Sequence, residues 1–179
     1  MTMHIIIGCM FSGKTSYIFD LINKLNNEYI IVNSILDNRY SNNKICTHTQ
    51  NIHDCISIHS LSECYNELLK YNTIIIDEAQ FIKDLHKYCN LLINKRKNIY
   101  VCGLNGDINQ NNMGEIYKLF PLADTITLLK AQCNICKQMN AIYTHKIVDS
   151  TTLIDIGSSN KYIPLCRECY NTKNINYKL

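Results

Sequence analysis

Eight consecutive residues near the N-terminus, Gly8-Cys9-Met10-Phe11-Ser12-Gly13-Lys14-Thr15, match G-x-x-x-x-G-K-[ST] without a mismatch. Residues of these types at this spacing suit a nucleoside triphosphate. The glycines let backbone N–H groups turn inward around phosphate oxygens, and a following helix N-terminus adds partial positive charge. Lys14 is placed to reach the β- and γ-phosphates, and the Thr15 hydroxyl to serve Mg²⁺.

A second chemical element is the carboxylate pair in Thr73-Ile74-Ile75-Ile76-Asp77-Glu78. An apolar, β-branched run ending in two acids reads as a buried strand whose C-terminal end faces the phosphates of a parallel sheet. Asp77 then holds Mg²⁺, directly or through water. Side-chain alternation turns Glu78 the other way, where it can act as general base toward an acceptor hydroxyl. The pair alone leaves two chemistries open, because water-activating ATPases use the same two acids, and Asp77-Glu78-Ala79-Gln80 also resembles a helicase box.

The third element is a cysteine quartet. Cys133-x-x-Cys136 and Cys166-x-x-Cys169 are two knuckles able to close a tetrahedral, structural Zn²⁺ site. The intervening segment, Lys137 to Leu165, must loop out and return. The other six of the ten cysteines stand singly, at 9, 46, 55, 64, 89 and 102, and read as ordinary packing or surface residues.

These residues need a frame. Strand-like runs at Met3–Ile7, Tyr29–Val32, Ile56–Ile58, Thr73–Ile76, Ile99–Cys102 and Thr125–Leu129 alternate with helical patterns at Lys14–Leu25, Leu61–Leu69, Leu85–Ile93 and Gly114–Phe120. Ser60 is the expected N-cap of the second helix, and Asn33–Asp54 reads as loop. Alternation of this kind predicts an α/β fold, a P-loop parallel sheet flanked by helices over residues 1–129. Residues 130–179 form the expected smaller zinc-binding unit. The 179 residues carry a net charge of +3. That suits an anionic ligand and is too weak for a nucleic-acid-coating surface. With no apolar run of membrane-spanning length and no signal-peptide pattern, the expected location is the cytoplasm, that of the host if the source is viral, without membrane or nucleic-acid partners.

Taken in order, the motifs are similar to those of type II thymidine kinases. The strings are the phosphate loop with its Met-Phe-Ser-Gly-Lys core, Asp37-Asn38-Arg39-Tyr40, Thr47-His48, Asp77-Glu78-Ala79-Gln80-Phe81, Leu104-Asn105-Gly106, the two cysteine pairs, and Gly157-x-x-x-Lys161-Tyr162. The resemblance implies transfer of the γ-phosphate of ATP to the 5′-hydroxyl of deoxythymidine, with Mg²⁺ and a structural Zn²⁺. It implies Glu78 as base, and Asp37, Arg39 and Gln80 beside the phosphates. Met10, Phe81, Leu104, Ile108 and Met113 would line the nucleoside pocket. A lasso would close over the base through Thr144, Asp155 and Gly157, with Tyr162 on the sugar. A homotetramer inhibited by dTTP is implied as well. Asn105 departs from the family's acidic residue, and Ile108 and Met113 stand where aromatic residues are common. Two other classes compete: a nucleic-acid-stimulated ATPase, which needs a second lobe and a basic track, and a zinc-ribbon binding module with a residual nucleotide site.

Overall fold

The computed structural model describes residues 1–25, 28–36, 44–46, 52–147 and 161–176. Its centre is a six-stranded parallel sheet built from β1 (Thr2–Gly8), β2 (Tyr29–Ser34), β5 (Ile56–Ile58), β6 (Thr73–Ile76), β7 (Asn98–Leu104) and β8 (Thr125–Leu129), in the order β5-β2-β6-β7-β1-β8. A parallel sheet needs cover on both faces, and the strands' apolar residues divide accordingly. Ile5, Val32, Ile74, Ile76 and Val101 pack on one face with Leu85, Cys89 and Leu92 of α3 (Leu85–Asn94). Ile6, Ile31, Ile75 and Cys102 pack on the other with Ile18, Phe19 and Ile22 of α1 (Lys14–Ile22). Ile74, Ile75 and Ile76 are all fully buried. At about 1.5–3 kcal/mol for each large apolar side chain removed from water, this strand alone accounts for several kcal/mol of the driving force.

Beyond Leu129 the chain leaves the parallel sheet for a separate two-stranded one. β9 (Tyr143–Lys146) and β10 (Tyr162–Leu165) pair antiparallel, and α4 (Arg167–Asn176) follows. Cys9 of the phosphate loop joins Ala131, Cys133, Ala141, Leu165, Cys166 and Tyr170 in its core. Among the described residues, no helix is long and apolar enough to cross a membrane.

Three local expectations are corrected. The polar stretch from Asn33 to Asp54 includes an antiparallel pair, β3 (Lys44–Cys46) with β4 (Ile52–Asp54), where Ile45 supplies a buried anchor. The helix over Leu61–Leu69 is broken into a 3₁₀ turn, Leu61–Glu63, and a four-residue α2, Tyr65–Leu68. Gly114–Phe120 is replaced by a 3₁₀ segment, Ile116–Leu122, which contains Pro121.

Ser60 does not cap the Leu61–Glu63 turn with its own side chain. Asp84 does so from across the fold, accepting from Leu61 N–H at 2.8 Å, Ser62 N–H at 3.3 Å and the Ser60 hydroxyl at 2.6 Å. A charged acceptor serving three donors is worth more than one neutral cap. Replacing Asp84 by Ala is expected to lower unfolding free energy by about 1–3 kcal/mol in chemical denaturation. A loss below about 0.3 kcal/mol would show that the turn does not depend on it.

Candidate active site

The phosphate loop leaves the C-terminal end of β1 and turns into α1. Gly13 sits at φ 82°, a left-handed conformation costly for a residue with Cβ, and supplies no side chain to cap the helix. The first-turn N–H groups of α1 therefore have no capping side chain there, as an anion-binding helix start requires. Phe11 also has positive φ, 66°. The buried Ser12 hydroxyl has no hydrogen-bond partner among the described residues. An orphaned buried donor of this kind fits a loop shaped for a phosphate oxygen.

Lys14 is buried at the base of the loop. Its ammonium donates to the carbonyls of Gly8, at 3.1 Å, and Cys9, at 2.9 Å. Burial pushes its pKa down, while Glu78 and then Asp77 pull it back up. Both acids lie just past β6 and are buried, at 3% and 8% exposure for Asp77 and Glu78. Cys102 of β7, the strand between β6 and β1, has its thiol pushed well up by burial and by Asp77, so it contributes no thiolate.

Strand alternation does not set the direction of Glu78, because the strand has ended. Glu78 adopts φ 47°, ψ 37°, as the residue before the turn Ala79–Phe81. Left-handed backbone at a non-glycine residue costs on the order of 1 kcal/mol and persists where neighbours enforce it. The enforcing contacts are visible. The Glu78 amide donates to Asp77 Oδ1 at 2.9 Å, and Gln80 Nε2 donates to Glu78 Oε2 at 2.6 Å. The other end of the Gln80 amide accepts from Leu104 N–H at 3.0 Å. Gln80 thus orients the carboxylate against the end of β7. Gly103 leaves it room, since a Cβ there would lie 2.5 Å from Gln80 Oε1. This bracing is not readable from spacing alone. Asn33 and Ser34, buried polar residues, end β2.

Leu104 and Met113 share a cavity of about 230 Å³ with Ile7, Ile116, Phe120 and Leu128. That is below the roughly 300 Å³ at which whole-ligand pockets begin. Thr144, buried in β9, accepts from the Met10 amide at 3.0 Å. It therefore ties the phosphate loop to the C-terminal unit. Asn105 adds a second tie, donating to the Ile142 carbonyl at 3.0 Å. An acidic residue could not donate there, so the departure at this position has a structural role. Phe81 closes the turn that holds Glu78, and Tyr162 begins β10, buried at the end of the hairpin next to the 148–160 stretch. Asp37, Arg39, Asp155 and Gly157 lie outside the described residues, as do Thr47 and His48.

The four cysteines converge. The Sγ atoms of Cys133, Cys136, Cys166 and Cys169 all lie within 4.8 Å of one another, and Cys136 and Cys166 are 3.8 Å apart. A tetrahedron with Zn–S bonds of about 2.3 Å has edges of about 3.8 Å, so the donor set fits zinc. Backbone amides of Cys166 and Cys169 point at Cys133 Sγ (3.4 Å) and Cys166 Sγ (3.5 Å). Such amides orient and stabilise ligand thiolates. Burial raises the Cys133 thiol, but the amides of Cys166, Cys136 and Ile135 outweigh it and hold it down at about 6. Cys169 is pushed up to about 12 by Cys166 and by burial.

A model of the thymidine kinase family matches residues 1–170. The chain belongs to that family. Thymidine kinase of Amsacta moorei entomopoxvirus is 37% identical over 180 residues, covering 96% of this chain and 98% of that protein. The thymidine kinase of Pseudothermotoga lettingae is 34% identical over 172 residues, 93% of each chain. Cytosolic thymidine kinase of Cricetulus griseus is 31% identical over 175 residues, 96% of this chain and 74% of that protein. Family membership favours a nucleoside kinase over the ATPase and binding-module readings, and it implies use of ATP.

Metal uptake by this cluster must displace protons, Cys169's above all, so affinity should fall as pH falls. One zinc per chain is expected, with competition against a chelator showing weaker binding from about pH 8 to about pH 6. Affinity indifferent to pH would contradict four-thiolate ligation.

Proposed function

We propose that this protein transfers the γ-phosphate of ATP to the 5′-hydroxyl of deoxythymidine, releasing ADP and dTMP. The single observation that carries the chemistry is the set of buried charges formed by Lys14, at the start of α1, and Asp77 and Glu78, just past β6, with Glu78 oriented by Gln80. The relatives named as thymidine kinases supply the acceptor.

Glu78 takes the hydroxyl proton as the 5′-oxygen attacks the γ-phosphorus, and the bond to the β,γ-bridging oxygen breaks toward ADP. Lys14 and the loop amides hold the phosphate oxygens. Thr15 and Asp77 are the residues to hold Mg²⁺, which would draw charge from the β- and γ-oxygens. Asp37 and Arg39 are assigned to the transferring phosphate by family resemblance. Met10, Phe81, Leu104, Ile108 and Met113 face the nucleoside. Residues 130–179 act as a unit stapled by zinc, with Thr144, Asp155, Gly157 and Tyr162 closing over base and sugar. Closure excludes water and limits idle ATP hydrolysis. The same resemblance supports a homotetramer, inhibition by dTTP and work in the cytoplasm.

ADP formation should depend on thymidine and ignore single-stranded DNA. Glu78→Gln should retain ATP binding while kcat falls about 10²- to 10⁴-fold. Turnover stimulated by the polymer alone would overturn the acceptor, and a near-normal rate in the variant would overturn the base.

A further inference from the structure

Tyr170 lies one residue past Cys169, in the first turn of α4, with its amide bonded to the Cys166 carbonyl at 2.9 Å. Its ring is buried against Tyr143, at 4.8 Å between centroids, and His145, at 5.9 Å. Its hydroxyl donates to the main-chain carbonyl of Ile108 at 2.7 Å, across 62 residues of sequence. The segment it reaches is also tied at its start, where Asn105 donates to the Ile142 carbonyl at 3.0 Å, and is held at its centre from within. Asp107 accepts from the amides of Asn109 and Asn111, both at 2.8 Å, and its own amide donates to the Asn111 carbonyl at 3.0 Å. Residues 109–112 are exposed, so no buried apolar side chain anchors the tip of this turn.

We propose that Tyr170 is a positioning residue for the acceptor nucleoside. It fixes the 105–113 segment, and hence Ile108 and Met113, to the helix that carries Cys169 and starts directly after Cys166. The inference rests on the reading above that Ile108 and Met113 face the nucleoside. Its physical basis is a rigid, ring-packed side chain offering one hydroxyl to an exposed turn. Without that hydroxyl the turn keeps its internal bonds but loses its tie to the C-terminal helix.

Tyr170→Phe keeps the ring packing and removes only the hydroxyl. A single hydrogen bond of this partly buried kind corresponds to about a 3- to 10-fold effect. The KM for thymidine should rise by that factor, with KM for ATP and zinc content unchanged. Amide hydrogen exchange in residues 105–113 should quicken while that in 130–147 stays as it was. Unchanged thymidine KM overturns the proposal, even if exchange quickens, because the tie is then structural only. Equal rises for both substrates, or zinc loss, also overturn it, as general loosening. Wild-type protein with no thymidine-dependent turnover would instead defeat the functional reading, and a quickened exchange would still report the tie.

Discussion

A buried cation fixes the layout of this protein. Lys14 cannot shed its charge without losing its use to a phosphate, and burial alone disfavours that charge. Glu78 and Asp77 favour the charged form, and the carbonyls of Gly8 and Cys9 accept its hydrogen bonds. This compensation requires the ends of β1 and β6 to stand near one another with only β7 between them, which the parallel order β6-β7-β1 provides. The acids are in turn held by main-chain and Gln80 hydrogen bonds. Positions on the same strand ends, such as Gly103, are constrained by that bracing.

The C-terminal unit is part of the same construction. Cys9 is packed in its core and its thiol donates to the Ala141 carbonyl at 3.5 Å, while Met10 donates to Thr144. Two successive residues of the phosphate loop are therefore held by the segment between the cysteine pairs. The cluster of four thiols lies at the base of that segment. Hydrogen bonds link that segment both to the phosphate loop and to the start of the turn at 105–113.

Much of this was legible in the residues. Buried parallel strands read as continuous apolar runs, so Met3–Ile7 and Thr73–Ile76 were visible. The phosphate loop, the acidic pair and the two cysteine knuckles have few alternative explanations in those contexts. What escaped depended on distant partners. Gln80 reads as a phosphate neighbour, yet its hydrogen bonds go to Glu78 and Leu104, through space cleared by Gly103. Ser60 looked like a cap because it precedes an apolar run, but the better acceptor, Asp84, comes from another turn. The strand pair β3 and β4 is three residues on each side in polar surroundings, too short for a periodic signal.

The fate of the terminal phosphate tests this account most directly. With γ-labelled ATP and thymidine, the label should appear in thymidine monophosphate in step with ADP, with little inorganic phosphate, as direct transfer to the nucleoside requires. Label released mainly as inorganic phosphate, with thymidine acting only to accelerate it, would contradict direct transfer to the nucleoside.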